Sequence, residues 1–94
     1  MPTPEPPTPP SAERFQSLVG CSYRIDGTEV ELTLAEVDDH GGSFSLLFRS
    51  AQLPPVAQSI HQLDPLDGAG DIGPIFLVPV AADEHGATYE AVFN

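Results

Sequence analysis

Alternation of apolar and polar residues with a period of two restricts this chain more than any other feature. In Val30-Glu31-Leu32-Thr33-Leu34 the three apolar residues fall on one side and Glu31 and Thr33 on the other. Successive side chains of a strand point to opposite faces, so the pattern describes a strand with one buried face. The same rhythm returns in residues 43–49, with Phe44, Leu46 and Phe48 inward and Ser45, Leu47 and Arg49 outward. It returns once more in 88–93, where Tyr89, Ala91 and Phe93 share a face.

Turn residues divide these runs. Asp26-Gly27 predicts a type I′ hairpin between strands at 21–25 and 28–37, because that turn needs φ > 0 at both positions. Residues 38–42 read as a loop, Leu53-Pro54-Pro55 as an interruption, and 59–63 as a shorter strand. Residues 64–71, with three aspartates and two glycines, predict an exposed loop. Residues 75–80 are apolar throughout, which predicts a strand buried on both faces, with Pro79 at an edge or a bulge. Residues 83–86 form the next turn. The fold class that follows is mainly all-β: a small antiparallel β-barrel or sandwich of five to six strands. Its expected core is Phe15, Leu18, Val30, Leu32, Leu34 and Phe44, continued by Leu46, Phe48, Leu77, Tyr89 and Phe93.

One short N-terminal helix precedes the strands. In residues 11–20, Ser11 is a good N-cap and Glu13 suits the positive end of the helix dipole. Phe15, Leu18 and Val19 make one apolar stripe, and Gly20 can end the helix in the left-handed conformation. Residues 1–10 hold six of the eleven prolines. Proline cannot donate to a ladder, so this run predicts a disordered, extended tail ahead of a single domain at 11–94.

Fourteen acidic residues face three arginines and no lysine, giving a net charge of −11. That charge repels phosphate backbones and excludes nucleic acid as a partner. No apolar run approaches the roughly 20 residues that span a bilayer, and no secretory signal precedes the domain. The expected place is therefore the cytoplasm. The lone Cys21 cannot form an internal disulfide, and reads as a small apolar residue near a strand start.

The residues give no support for catalysis. His40 and His85 sit in glycine-flanked turns and His61 in the weak strand, with no Gly-x-Ser-x-Gly elbow and no local signature joining Cys21 to a histidine. Zinc spacing and a phosphate loop are both missing. We expect a non-enzyme with no cofactor. For metals we expect none; Asp64, Asp67 and Asp71 are the only calcium candidates, and they lack the EF-hand spacing. Asp38-Asp39 and Asp83-Glu84 are shorter acidic turns of the same kind.

Several strings are more specific. They are Phe15-x-x-Leu-Val-Gly20, Val30-Glu-Leu-Thr-Leu-Ala-Glu-Val37, Phe44-Ser-Leu-Leu-Phe-Arg49, Ile75-Phe-Leu-Val-Pro-Val80 and Tyr89-Glu-Ala-Val-Phe-Asn94. In this order the chain resembles a small bacterial family of unknown function, commonly encoded beside tail-collar-type, phage-tail-like fibre proteins. It departs from that family in its proline-rich tail and its Pro54-Pro55 loop. The resemblance implies an accessory or structural role, with tail-collar or fibre-type proteins as partners and incorporation into a tail-like or extracellular assembly. It implies no activity and no cofactor.

The first reading is thus a non-catalytic structural or protein-interaction module, which an open strand edge would serve by pairing with a partner strand. Arg49 is the candidate interaction residue, set against an ordinary ion pair with a nearby acid. The second reading is an acidic binder that imitates a polyanion, which requires carboxylates gathered on one face. The third is a small hydrolase. Homo-oligomerisation stays open.

Overall fold

A computed structural model describes residues 12–66, 68 and 70–93. The proline-rich run, the Ser11 cap and Asp67 lie outside the described residues. The elements are α1 (Ala12–Gln16), β1 (Ser22–Ile25), β2 (Glu31–Asp39), β3 (Phe44–Ser50), β4 (Ser59–Pro65), β5 (Gly73–Asp83) and β6 (Gly86–Phe93).

The strands close into a six-stranded barrel in the order β1-β2-β3-β6-β5-β4. Two antiparallel meanders, β1-β2-β3 and β4-β5-β6, meet along β3–β6 and along β1–β4. Short hairpin connections make such meanders the cheapest pairing for a chain punctuated by turn residues. The β3–β6 seam is continuous from Phe44↔Phe93 to Ser50↔Ala87. The β1–β4 seam is short, with Tyr23↔Pro65, Arg24↔Asp64 and Ile25↔Leu63. Closure gives every strand a partner on both sides over part of its length; β1 reaches β2 only at residues 31–33 and β4 only at residues 63–65.

The strand boundaries differ from expectation for local reasons. The hairpin at Asp26-Gly27 is wider than a two-residue type I′ turn: the last ladder pair is Arg24↔Glu31. Thr28 holds this loop, since its hydroxyl donates to the Ile25 carbonyl at 2.8 Å and accepts from the Val30 N–H at 3.0 Å. Asp38 and Asp39 belong to β2 rather than to a loop, paired with Ser45 and Phe44. Asp64 belongs to β4 and pairs with Arg24. In β2 a bulge between Leu34 and Glu36 shifts the alternation by one residue, so that Val37 packs against the core.

Residues 75–80 are not buried on both faces. Ile75 and Leu77 point inward, while Phe76 and Val80 are exposed. In a closed barrel the outer side of a strand meets solvent whatever residue it carries. Pro79 lies at a bulge, where the register shifts between Pro79 and Ala81.

The barrel is filled by Leu32, Leu34, Leu46, Phe48, Leu77 and Tyr89, all from the expected core and all buried. Leu18, Val30 and Phe93 are only partly buried, at its margin. Tyr23, Ile25, Leu63 and Ile75 complete the core. Tyr23 meets Phe48 edge to face at 6.4 Å. Its hydroxyl donates to the Gly70 carbonyl at 2.8 Å, so the phenol is buried with its one donor satisfied. One end of the barrel is stoppered by aromatics. Phe44 and Phe93 stack at 4.8 Å, and Phe15 of α1 lies 5.6 and 5.5 Å from them. The helix is shorter than expected, but Gly20 does take the left-handed conformation, with φ 93°.

Candidate functional site

The end of the barrel opposite the aromatic stopper carries a cleft of about 300 Å³. Its walls are the last residues of β3 and the β5–β6 hairpin. The hairpin folds tightly: Asp83 pairs with Gly86, leaving Glu84 and His85 at the tip. Asp83 accepts the His85 N–H on Oδ1 at 2.8 Å, which fixes the turn. Gly86 sits at φ 144°, and a Cβ there would lie 2.0 Å from the Ser50 carbonyl oxygen. The hairpin can approach β3 this closely only because that position lacks a side chain.

Small side chains leave the space open. Ala81, Ala82 and Ala87 line it together with Gly86. Arg49 and Thr88 are cross-strand partners in β3 and β6 and present their polar groups to the cleft from the outer face. Among the described residues Arg49 makes no ion pair and no side-chain hydrogen bond. The ordinary ion pair set against a specific role for Arg49 is therefore not formed. Arg24, by contrast, meets Glu31 at 3.3 Å, and Arg14 donates to the Asp71 carbonyl at 2.9 Å.

A second feature lies on the outer face of β4-β5-β6. Ile60 and Phe76 are direct cross-strand partners, 69% and 51% exposed. Val92 of β6 is 58% exposed and Val80, beside the β5 bulge, 50%. Val78 shares this face and pairs with Glu90. Sequence reasoning missed the surface, although its signal was present: apolar residues at both parities of 75–80 were open to an outer apolar face as well as to double burial.

The remaining sequence candidates do not converge. Asp64 is in β4, while Asp71 accepts the Gly73 N–H at 3.0 Å in the next connection. Among the described residues no three His, Cys, Asp or Glu side chains group in a way that would hold a metal. His40 Nε2 lies 3.2 Å from Ser45 Oγ, within reach of a nucleophile and its base. Ser45 is buried, however, and no carboxylate among the described residues bonds the His40 ring to orient it. His61 Nε2 lies 3.0 Å from the Ala57 carbonyl, which ties the start of β4 to the preceding loop. Cys21 is partly buried against the core, as its position ahead of a strand suggested. Among the described residues no helix is long and apolar enough to cross a membrane.

Carboxylates are carried by several elements, four of them on β2. Glu13 lies on α1, Asp26 and Glu29 in the β1–β2 loop, and Glu31, Glu36, Asp38 and Asp39 along β2. Asp64, Asp83 and Glu90 lie on β4, β5 and β6.

A closed six-stranded antiparallel barrel with a filled interior defines a small β-barrel domain. The chain belongs to the family described as a domain of unknown function (DUF6916), matched over residues 10–93. That membership agrees with the expected place in an uncharacterised family. No curated protein and no solved structure matches the chain.

Proposed function

We propose that the domain is a non-catalytic structural or protein-interaction module, accessory to a phage-tail-like or fibre assembly. The observation that carries the reading is the outer apolar face of Ile60, Phe76, Val80 and Val92. Single exposed apolar residues are normal on any surface. Here a cross-strand pair and its neighbours on adjoining strands share one rigid face, and a rimmed apolar surface of that kind favours a protein partner. Such a face suits side-chain docking. The resemblance to proteins encoded beside tail-collar-type genes supplies the partner class.

The test is affinity capture of the full chain from its native host, with Ile60→Ser/Phe76→Ser as the matched control. Tail-collar or fibre-type proteins should be recovered with the wild type and reduced at least tenfold with the double variant. Recovery of no such protein, or equal recovery with both, would refute the proposal.

A further inference from the structure

We infer that the cleft between the end of β3 and the β5–β6 hairpin is a carboxylate-binding site in which Arg49 is the pairing cation. The inference rests on the interaction-module reading only for the source of the carboxylate, not for the site itself.

The argument begins with charge. The chain has fourteen acidic residues and three arginines, so an arginine on its surface has many internal carboxylates to choose from. Arg49 has taken none of them among the described residues. The acids nearest along the hairpin are committed elsewhere. Asp83 accepts the His85 N–H at 2.8 Å, and Glu84 lies 3.5 Å from His85 Nε2. Glu84 is held at the hairpin tip, while Asp83, which also lines the cleft, is engaged by its own turn.

Geometry adds the second argument. Arg49 stands on a strand paired on both sides, with Thr33 and Thr88 as its cross-strand partners. Its backbone is therefore fixed, and little ordering of the main chain accompanies binding. A guanidinium presents a planar fork of donors that matches both oxygens of one carboxylate. The Thr88 hydroxyl, beside it on the same face, can donate to the same group. Ala81, Ala82, Gly86 and Ala87 leave about 300 Å³ free, the lower end of ligand-sized pockets. The net charge of −11 does not forbid an anion here, since charges beyond about 8 Å are largely screened at physiological ionic strength.

The carboxylate has two sources, a small organic acid or a carboxyl group of a protein partner. The outer face of β5 runs from the cleft through Val80 and Val78 to Phe76, so a partner chain end seated on Arg49 would lie along the apolar face.

The experiment is an NMR titration of the full ¹⁵N-labelled chain with sodium acetate, against sodium chloride at equal ionic strength. The readouts are the Arg49 side-chain Nε–Hε signal and the backbone amides of Gly86 and Thr88. We expect saturable shifts with acetate and none with chloride, weakened at least tenfold in Arg49→Gln and unchanged in Arg24→Gln. Shifts that are linear in acetate, are matched by chloride, or survive in Arg49→Gln overturn the inference, whatever the affinity capture shows. A second arm uses one short apolar peptide with a free or an amidated C-terminus. Free-acid binding at least tenfold tighter than acetate, lost on amidation and reduced in Phe76→Ser, assigns the site to a protein chain end. Free-acid binding no tighter than acetate assigns it to a small organic acid.

Discussion

Replacing Gly86 by alanine tests whether the β5–β6 hairpin owes its seat to a missing side chain. A Cβ at this position would stand 2.0 Å from the Ser50 carbonyl oxygen and 3.0 Å from the Ala51 Cα. Both are backbone atoms, so no side-chain rotation relieves the overlap. The backbone conformation at φ 144° adds about 1–3 kcal/mol of strain for any residue with a Cβ. Moving the hairpin away also loosens the Ser50↔Ala87 and Asp83↔Gly86 pairings, at about 0.5–1.5 kcal/mol for each ladder bond lost. The sum is about 2–6 kcal/mol, against a total of roughly 5–15 for a small domain. Gly41→Ala is the matched control. Gly41 also has a positive φ, 92°, but nothing lies within 4 Å of its added Cβ. That substitution should cost only about 1–2 kcal/mol, from conformation alone. Urea unfolding of the three proteins decides the matter. Gly86→Ala should lower the midpoint more than Gly41→Ala, and its melting temperature should fall by more than about 8 °C. Equal losses in the two variants would refute the close-approach argument.

Three other outcomes follow from the packing. Tyr89→Phe removes the acceptor of the Val56 N–H, now at 2.9 Å, and should cost about 1–3 kcal/mol by thermal unfolding with the core otherwise intact; an unchanged melting temperature would show that water replaces the phenol. Burial raises the Tyr23 phenol pKa above its usual value near 10.0, with the charges of Cys21 and Asp71 adding to the effect. The folded state therefore favours the neutral phenol, and its contribution is complete below pH 10 and lost as pH rises through the raised value. Urea unfolding across pH 9–12 should show a decline that is shallower in Tyr23→Phe, and equal slopes would count against it. A chain starting at Ser11 should melt within a few degrees of the full chain, whereas one ending at Ala87 should show no cooperative unfolding, because β6 is the shared neighbour of β3 and β5.

What the sequence disclosed was periodicity and punctuation. Leu32 and Leu34, or Phe44, Leu46 and Phe48, alternate with polar or half-exposed neighbours, and those strands lie within a few residues of where they were expected. The Ala35 bulge was hidden, since a one-residue slip leaves no mark in composition. Barrel closure was hidden too, because the β1–β4 seam joins residues distant in sequence through three pairs. At the candidate site, Arg49 was visible as an isolated cation. Its cleft was not, because the space comes from a hairpin laid against Ser50 by Gly86, an approach between segments far apart in the chain.

Phe15 stacking on Phe93 brings the first and last elements of the domain to the same rim of the barrel. A chain that leaves where it enters can be interrupted by this domain without being stretched or redirected. Its insertion into a surface loop of a host protein would ask for only short connectors. The pendant barrel would then face away from its attachment point, with the Arg49 cleft at the distal pole. Architecturally the first and last elements meet at one pole of the bead and the Arg49 cleft opens at the other.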